Sequence, residues 1–215
     1  MSDRTRTEFR RALESALKGF GIEALSSLQL DQLDKHYSLL TAWNRKINLT
    51  RITQSEDAAR LHYAESLFGG RFILDARTIL DIGSGAGFPA IPLAVQRPDV
   101  EVTALEANEK KSVFLKEIKD ALRLSNFNVT WARFEEFDWS GYDLLTSRAL
   151  ESGAALWEST ITKLGSRQRL MLYTTAEVLA ALNERSRLVR KETAPILETH
   201  PIPHTESRLI AIFKV

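Results

Sequence analysis

The feature that most constrains this chain is the stretch ILDIGSGAGFPAIP, residues 79–92. A short apolar run ends in three glycines, Gly83, Gly85 and Gly87, and a helical pattern follows directly after Phe88 and Pro89. Main chain without Cβ atoms turns sharply and lets a ligand approach closely. The stretch therefore predicts a strand, a glycine loop and a helix, with the loop facing a ligand.

Strand and helix patterns alternate through the rest of the chain. This alternation predicts an α/β fold with a doubly wound, mostly parallel seven-stranded sheet. The last two strands have no helix between them and are expected to form an antiparallel C-terminal hairpin. The predicted strands cover 78–83, 100–106, 128–132, 143–149, 169–174, 187–199 and 207–215. The predicted helices of this part cover 89–97, 109–123, 151–164 and 175–184.

The chain opens differently, with helices alone. Apolar residues recur at helical spacing in 6–20 and 28–44, and a third helix is predicted from Ser55 to Phe68, ended by Gly69-Gly70. We therefore expect two domains, an N-terminal helical cap over 1–70 and a ligand-binding core over 71–215.

Composition removes several functional classes. The 215 residues contain no cysteine, which excludes disulfides, thiolate zinc sites and thiol nucleophiles. The net charge of +1 is too small to predict nucleic-acid binding by itself. No apolar run is long enough to cross a bilayer, and the first residues do not resemble a secretory signal, so we expect a cytoplasmic protein. His200 and His204 are expected in a polar surface loop, and no metal site is predicted.

The spacing of the glycines indicates which ligand the loop binds. A dinucleotide motif G-x-G-x-x-G would need glycine where Phe88 stands, and no phosphate-binding P-loop is present. The observed G-x-G-x-G, preceded by Asp81, suits a ligand with an amino-acid end. Glu106 ends the second predicted strand, 23 residues beyond Gly83, where it can accept hydrogen bonds from ribose hydroxyls. Glycine loop and strand-end acid together are the pattern of S-adenosylmethionine-dependent methyltransferases; the alternative is a tight turn beside a solvated glutamate.

The end of the third predicted strand carries ARFEEF, residues 132–137. There Phe134 and Glu135 are placed to flank an adenine ring and its amino group. The alternative is a helix start with Phe134 and Phe137 in the core.

The fourth predicted strand bears on the methyl acceptor. Enzymes that methylate exocyclic amines carry a [DN]-P-P-[YF]-like tetrad there, whereas this chain has LLTSRALES with Arg148. Without cysteine, pyrimidine C5 methylation through a thiol adduct is excluded. Guanine N7, which is nucleophilic in its neutral form, remains a suitable acceptor. Arg148 is expected to bind an RNA phosphate or guanine O6; the alternative is a surface ion pair with Glu151.

Five stretches together resemble the GidB/RsmG family of bacterial 16S rRNA guanine-N7 methyltransferases. They are WNRKINLT (43–50), HYAESL (62–67), DIGSGAGFPAIPLA (81–94), RFEEF (133–137) and SRA (147–149). The resemblance implies a class I methyltransferase (Rossmann-like) core with the helical cap. It also implies S-adenosyl-L-methionine as cofactor, methyl transfer to N7 of one guanine, and 16S rRNA or the small ribosomal subunit as partner. We expect a monomer.

The motifs and the resemblance give a set of expected site residues. Arg148 is the candidate catalytic residue. The expected cofactor-binding residues are Asp81, Gly83, Ser84, Gly85, Gly87, Phe88, Glu106, Ala107, Phe134, Glu135 and Arg148. Asn44, Asn48 and His62 are expected to shape the cofactor pocket or RNA entry. The alternative is that Asn48 and Thr50 cap a loop and that His62 packs on a helix face.

The chain departs from the family after the fifth strand. An LKG-like turn is usual there, whereas this chain has Tyr173 and Thr174. Basic residues between 163 and 191, Arg169 among them, offer a phosphate track that would compensate, or else a solvated face. The departure keeps open a non-catalytic RNA- or ribosome-binding module, and a small-molecule methyltransferase is the third hypothesis.

Overall fold

The computed structural model describes residues 3–73, 75–148, 160–189 and 196–214. The chain starts with two long helices, α1 (Asp3–Gly19) and α2 (Ser27–Asn44). Helix α2 begins at a capping box, in which Ser26 Oγ accepts from the Gln29 amide and the Gln29 side chain accepts from the Ser26 amide. This pair satisfies two main-chain donors that the first helical turn leaves free.

The third helical stretch changes its winding along its length. It consists of α3 (Ser55–Ala58), a π-helical segment (Ala59–Ala64), α4 (Glu65–Gly69) and a 3₁₀ turn (Gly70–Phe72). The α-helix ends at the glycine pair, as predicted: α4 stops at Gly69 with Gly70 as its C-cap, and the 3₁₀ turn follows. Gly70 keeps a right-handed φ of −57°, and both glycines also allow close packing. A Cβ on Gly69 would collide with the Tyr173 hydroxyl, and one on Gly70 with the Gln96 side chain.

A seven-stranded sheet forms the core, in the order β3-β2-β1-β4-β5-β7-β6. Strands β1 to β5 are parallel, and β7 pairs antiparallel with both β5 and β6. The predicted doubly wound sheet with a C-terminal hairpin is confirmed. The strands are β1 (Thr78–Ile82), β2 (Glu101–Glu106), β3 (Phe127–Trp131), β4 (Leu144–Ser147), β5 (Arg169–Thr175), β6 (Ile196–Pro201) and β7 (Arg208–Lys214).

Helices cover both faces of the sheet: α5 (Ala90–Gln96), α6 (Glu109–Leu122) and α7 (Ala176–Val189). Because successive strand residues point to opposite faces, Ile79 joins one apolar cluster while Leu80 and Ile82 join the other. The larger cluster combines cap residues with α5, α6 and one sheet face. The smaller one combines the other face with α7.

Some predicted elements need correction or fall partly outside the described residues. The strand predicted over 187–199 was wrong at its start, because residues 187–189 belong to α7. Residues 190–195 lie outside the described part of the chain, and β6 covers Ile196–Pro201. Leucine, alanine, glutamate and arginine fill α7, and no glycine or proline interrupts it. Of the helix predicted over 151–164, residues 151–159 lie outside the described part of the chain.

The histidine pair predicted in a loop is divided between two environments. His200 lies within β6 and stacks on Phe72 at 4.0 Å, so the prediction of a loop was wrong for this residue. His204 lies in the β6–β7 turn with a positive φ of 58°.

One continuous apolar core contains residues from both sides of the predicted domain boundary at residue 70. Phe9, Leu33 and Tyr63 of the cap are fully buried in the same apolar cluster as Ile91 and Phe114 of the core. The two-domain division stays a prediction. Within the described ranges, no helix combines the length and the apolar character that a membrane crossing requires.

Candidate active site

The glycine loop leaves β1 and is held by its own main chain and by β2. The amides of Gly83 and Ser84 donate to the Leu105 carbonyl at 2.9 and 3.1 Å, and the Gly87 amide donates to the Ser84 carbonyl at 2.7 Å. All three glycines have positive φ: 69° at Gly83, 57° at Gly85 and 89° at Gly87. The loop therefore has a conformation that other residues rarely adopt.

Gly87 performs the packing role that a dinucleotide motif would give to a glycine one position later. A Cβ there would collide with Ile91 of α5 and approach Leu115 Cδ2 of α6 to 3.3 Å. Gly83 and Gly85 differ, because a Cβ on Gly83 would meet no atom within 4 Å and one on Gly85 only the Gly83 carbonyl at 3.8 Å. These two glycines border open space that a ligand can occupy.

Glu106 lies opposite the loop, as the sequence predicted. Its Oε2 accepts from the Gly85 amide at 2.8 Å, and its Oε1 accepts from the Asn108 amide at 2.8 Å. Its side chain is nearly buried, 7% exposed. Each carboxylate oxygen has a second lone pair, so both oxygens can still accept from ribose hydroxyls. The alternative of a solvated glutamate does not describe this residue.

Asp81 is the second carboxyl group at the loop. It is fully buried on β1, and neither of its oxygens has a hydrogen-bond partner. Burial raises the pKa of Asp81 to about 7, against the opposing influence of Ser84, the Ala90 amide and Arg148 nearby. The Ser84 hydroxyl is buried close to this carboxylate and makes no hydrogen bond of normal geometry. A ligand ammonium group would satisfy this carboxylate.

These observations fit S-adenosylmethionine. Its α-ammonium group complements the unpartnered Asp81, its ribose hydroxyls complement Glu106, and the free side of Gly83 and Gly85 leaves room for its chain. Ala107 follows Glu106 at the surface and accepts a hydrogen bond from Trp131 Nε1 at 3.1 Å.

The residues expected around the adenine lie after β3. Phe134 starts a 3₁₀ turn (Phe134–Glu136), is 8% exposed and stacks on Trp139 at 5.8 Å. Glu135 is exposed. Phe134 and Phe137 both pack in the smaller apolar cluster, as the core alternative expects. Their contact with a cofactor stays a prediction.

Phe88 points towards the cap. Its ring stacks on His62 at 4.5 Å and lies 5.0 Å from Tyr63 and 5.2 Å from His36. Burial, followed by the charges of Arg148 and Arg208, lowers the pKa of His62 to about 3. The end of the glycine loop is therefore packed against neutral aromatic rings of the cap.

Arg148 is held in a buried network. Its guanidinium donates to the Leu61 carbonyl at 2.9 Å and lies 3.6 Å from the fully buried Glu65 carboxylate. The Arg148 side chain is 12% exposed, which excludes the alternative of a surface ion pair, and Glu151 lies outside the described residues. Glu65 also accepts from Arg208 at 2.9 Å. Burial raises the pKa of Glu65, and both arginines oppose that rise.

Glu65 and the environment of Tyr173 were missed by sequence reasoning. A carboxylate inside the otherwise apolar helical stretch HYAESLF was an available signal, since a buried charge requires a partner. Tyr173 donates its hydroxyl hydrogen to the Ser66 carbonyl at 2.9 Å and is buried beside Arg148, 5.9 Å from the guanidinium carbon to the ring centre. The Tyr173 phenol therefore connects β5 to α4.

The cap residues expected to shape the site are divided between two roles. Asn44 closes the loop after α2, because its Oδ1 accepts from the Leu49 and Thr50 amides at 2.8 and 2.9 Å. Thr50 Oγ1 lies 2.7 Å from His62 Nε2 and so connects this loop to the ring that stacks on Phe88. Asn48 is exposed.

One of the basic residues predicted to bind phosphate, Arg169, is not at the surface. Arg169 is buried and donates to the Ile73 carbonyl at 2.8 Å and to Asp75 at 3.0 Å, so it offers no surface charge. Lys163 and Arg167 are exposed. Among the residues whose positions are described, no three histidine, aspartate or glutamate side chains cluster in a way that would hold a metal ion.

Solved structures define the class to which this fold belongs. The O-methyltransferase from Bacillus cereus in complex with SAH superimposes with a TM-score of 0.58 at 15% identity, covering 86% of this chain and 91% of that one. The fold is that of class I S-adenosylmethionine-dependent methyltransferases.

Sequence relatives place the chain more narrowly. Residues 29–209 match the GidB family, rRNA small subunit methyltransferase G. The ribosomal RNA small subunit methyltransferase G of Streptococcus thermophilus is 34% identical over 92% of this chain and 87% of its own length. That of Lysinibacillus sphaericus is 38% identical over 66% of this chain and 63% of its own length. The chain belongs to the GidB family.

Proposed function

We propose that this protein transfers a methyl group from S-adenosyl-L-methionine to N7 of one guanine in the 16S rRNA of the small ribosomal subunit. The observation that carries this proposal is the glycine loop facing Glu106, with 2.8 Å from the Gly85 amide to Glu106 Oε2. Membership in the GidB family supports rRNA as the substrate.

The cofactor supplies a methyl group on a positively charged sulfur. When bound, it would present this methyl carbon to the guanine N7 lone pair, and the electrons of the carbon–sulfur bond would remain on sulfur. N7 of neutral guanine bears no proton, so no general base is needed, and the protein contributes mainly by aligning the reactants.

Each residue at the loop has a role that follows from its position. Glu106 accepts from the ribose hydroxyls and Asp81 binds the α-ammonium group. Phe134 and Glu135 border the adenine. The Arg148 guanidinium, which is already bound to Glu65, positions the end of β4 rather than reaching into solvent for a phosphate.

The setting of the reaction follows from the substrate. We propose that the protein acts as a monomer in the cytoplasm, on rRNA or on the assembled small subunit. The cap over 1–70 then forms one wall of the site through His62, whose ring stacks on Phe88 of the glycine loop.

The proposal is tested in two steps. Isothermal titration with S-adenosylhomocysteine should show saturable binding, and Glu106→Ala should abolish it. Tritiated methyl groups should then pass from S-adenosylmethionine to small subunits that lack the modification, and mass spectrometry should place them on one guanine as 7-methylguanosine.

The two alternatives give different results in the same assays. Binding to small subunits without methyl transfer would identify a non-catalytic binding module. Transfer to a small molecule that is unaffected by removing rRNA would identify a small-molecule methyltransferase. Either result would contradict the proposal.

A further inference from the structure

We infer that His36 and Tyr63 of the cap are positioning residues of the cofactor loop, because they hold the Ala86 carbonyl and so fix the main chain between Gly85 and Gly87. The inference rests on the proposed function, in which this loop binds the cofactor.

The direction of the hydrogen bonds follows from the groups involved. His36 Nε2 lies 3.1 Å from the Ala86 carbonyl oxygen, and His36 Nδ1 lies 2.9 Å from the Tyr63 hydroxyl. A carbonyl oxygen only accepts, so Nε2 carries the proton and donates it to Ala86. Nδ1 is then an acceptor, and the Tyr63 hydroxyl donates to it. The chain of bonds runs from Tyr63 through His36 to the loop.

Burial keeps the two hydrogen-bonded side chains, His36 and Tyr63, in one protonation state. His36 and Tyr63 are fully buried and Ala86 is 7% exposed. Burial lowers the pKa of His36 to about 3 and raises the pKa of Tyr63 well above its ordinary value. Both side chains are therefore neutral over the physiological range, as the two hydrogen bonds require.

The other contacts of the loop show why this one matters. The Leu105 carbonyl holds the start of the loop, and Glu106 holds Gly85 but must also serve the ribose. His36 reaches the far end from outside the sheet, between glycines with φ of 57° and 89°. Without it the buried Ala86 carbonyl would lose a partner, and the loop would be ordered only when the cofactor binds, which weakens binding.

The experiment compares variants that keep their rings. His36→Phe and Tyr63→Phe each delete a hydrogen bond of the chain. Tyr37→Phe is the matched control, since Tyr37 is also a buried cap tyrosine, and its hydroxyl donates to the Thr53 carbonyl at 2.8 Å, away from the loop. His36→Gln restores a donor for Ala86 and an acceptor for Tyr63.

Both tyrosine variants should lower the melting temperature similarly. Only His36→Phe and Tyr63→Phe should weaken S-adenosylhomocysteine binding, by about tenfold, the effect of one buried hydrogen bond. The KM for S-adenosylmethionine should rise in the same variants while kcat is largely kept, and His36→Gln should recover part of the affinity.

Two results would overturn the inference. In the first, Glu106→Ala loses binding while His36→Phe and Tyr63→Phe bind as the unmodified protein does. The hydrogen bonds from Tyr63 through His36 to Ala86 then do not position the loop, and the proposed function stands. If the unmodified protein binds no S-adenosylhomocysteine, the proposed function and the inference fail together.

Discussion

At the scale of single residues, the site depends on positions where a side chain is absent or unpaired. Gly83 and Gly85 border open space, while the two carboxylates nearby differ in their partners: Glu106 is bonded to main-chain amides and Asp81 has no partner. An unpartnered buried carboxylate is costly for folding alone. Its coincidence with open space is explained by a ligand with a cation and hydroxyls.

Gly85→Val should abolish cofactor binding, because a branched side chain would enter the open space beside the loop. Gly141→Val is the control. A Cβ on Gly141 also meets no atom within 4 Å, and Gly141 is far from the loop in sequence. Titration with S-adenosylhomocysteine checks both, after thermal melts show that both variants are folded. Normal binding by a folded Gly85→Val protein would show that the loop does not receive the cofactor.

Asp81 should make cofactor binding pH-dependent. Its pKa of about 7 lies above the ordinary value of 3.8, so the free protein holds this proton up to neutral pH, and the ligand ammonium requires the ionised form. Affinity for S-adenosylhomocysteine should therefore rise about tenfold between pH 6 and pH 8. Asp81→Asn should bind weakly at both values. A pH dependence that survives this substitution would assign the titration to another group.

At the scale of elements, the π-helical segment and α4 connect the cap to the sheet. The π-helical segment places the Leu61 carbonyl where Arg148 of the β4 end donates to it, and His62 where its ring stacks on Phe88. Glu65 of α4 then pairs with arginines from two strand ends, β4 and β7. Irregular helical turns of this kind are frequent at functional sites.

Arg148→Ala should destabilise the protein by about 2–4 kcal/mol, since it leaves Glu65 buried with Arg208 as its remaining described ionic partner. Urea unfolding measures this loss. The double variant Arg148→Met, Glu65→Gln should recover much of the stability, because it removes the charge that needs a partner.

Turnover of the double variant then separates two roles of Arg148. Normal methyl transfer by the stable double variant would show that Arg148 acts only in folding. Lost transfer with intact S-adenosylhomocysteine binding would show that it positions the reaction.

At the scale of the whole molecule, cap and core share one apolar cluster. Phe9 of α1 is fully buried, stacks on Tyr37 at 4.2 Å and meets Tyr63 edge-on at 4.9 Å. Through Tyr63 and His36 this packing continues to the glycine loop. The cap is therefore expected to be part of the site rather than a separate module.

Phe9→Ala should cost about 3–5 kcal/mol, and the whole chain should still unfold in a single transition. Differential scanning calorimetry measures both quantities. Leu28→Ala, at a cap position that is 68% exposed, is the control and should change stability little. Two separate transitions would show that residues 1–70 fold as an independent domain.

The sequence by itself determined the elements and one half of the site. Local signals sufficed for strand–loop–helix at 78–96, for the acid at Glu106 and for a mostly parallel, doubly wound sheet with a C-terminal hairpin, because glycine conformation and hydrophobic period depend on neighbours in the chain. They failed at 187–189, where a strand was predicted and α7 continues.

Only the tertiary structure decided the other half. Three contacts of the site join residues that lie 50 to 107 positions apart in the sequence. They are the Glu65–Arg148 ion pair, the Tyr173–Ser66 hydrogen bond and the His36–Ala86 hydrogen bond. The role of a buried charged or aromatic side chain depends on the partner that packing brings within hydrogen-bond distance. The local sequence pattern does not identify that partner.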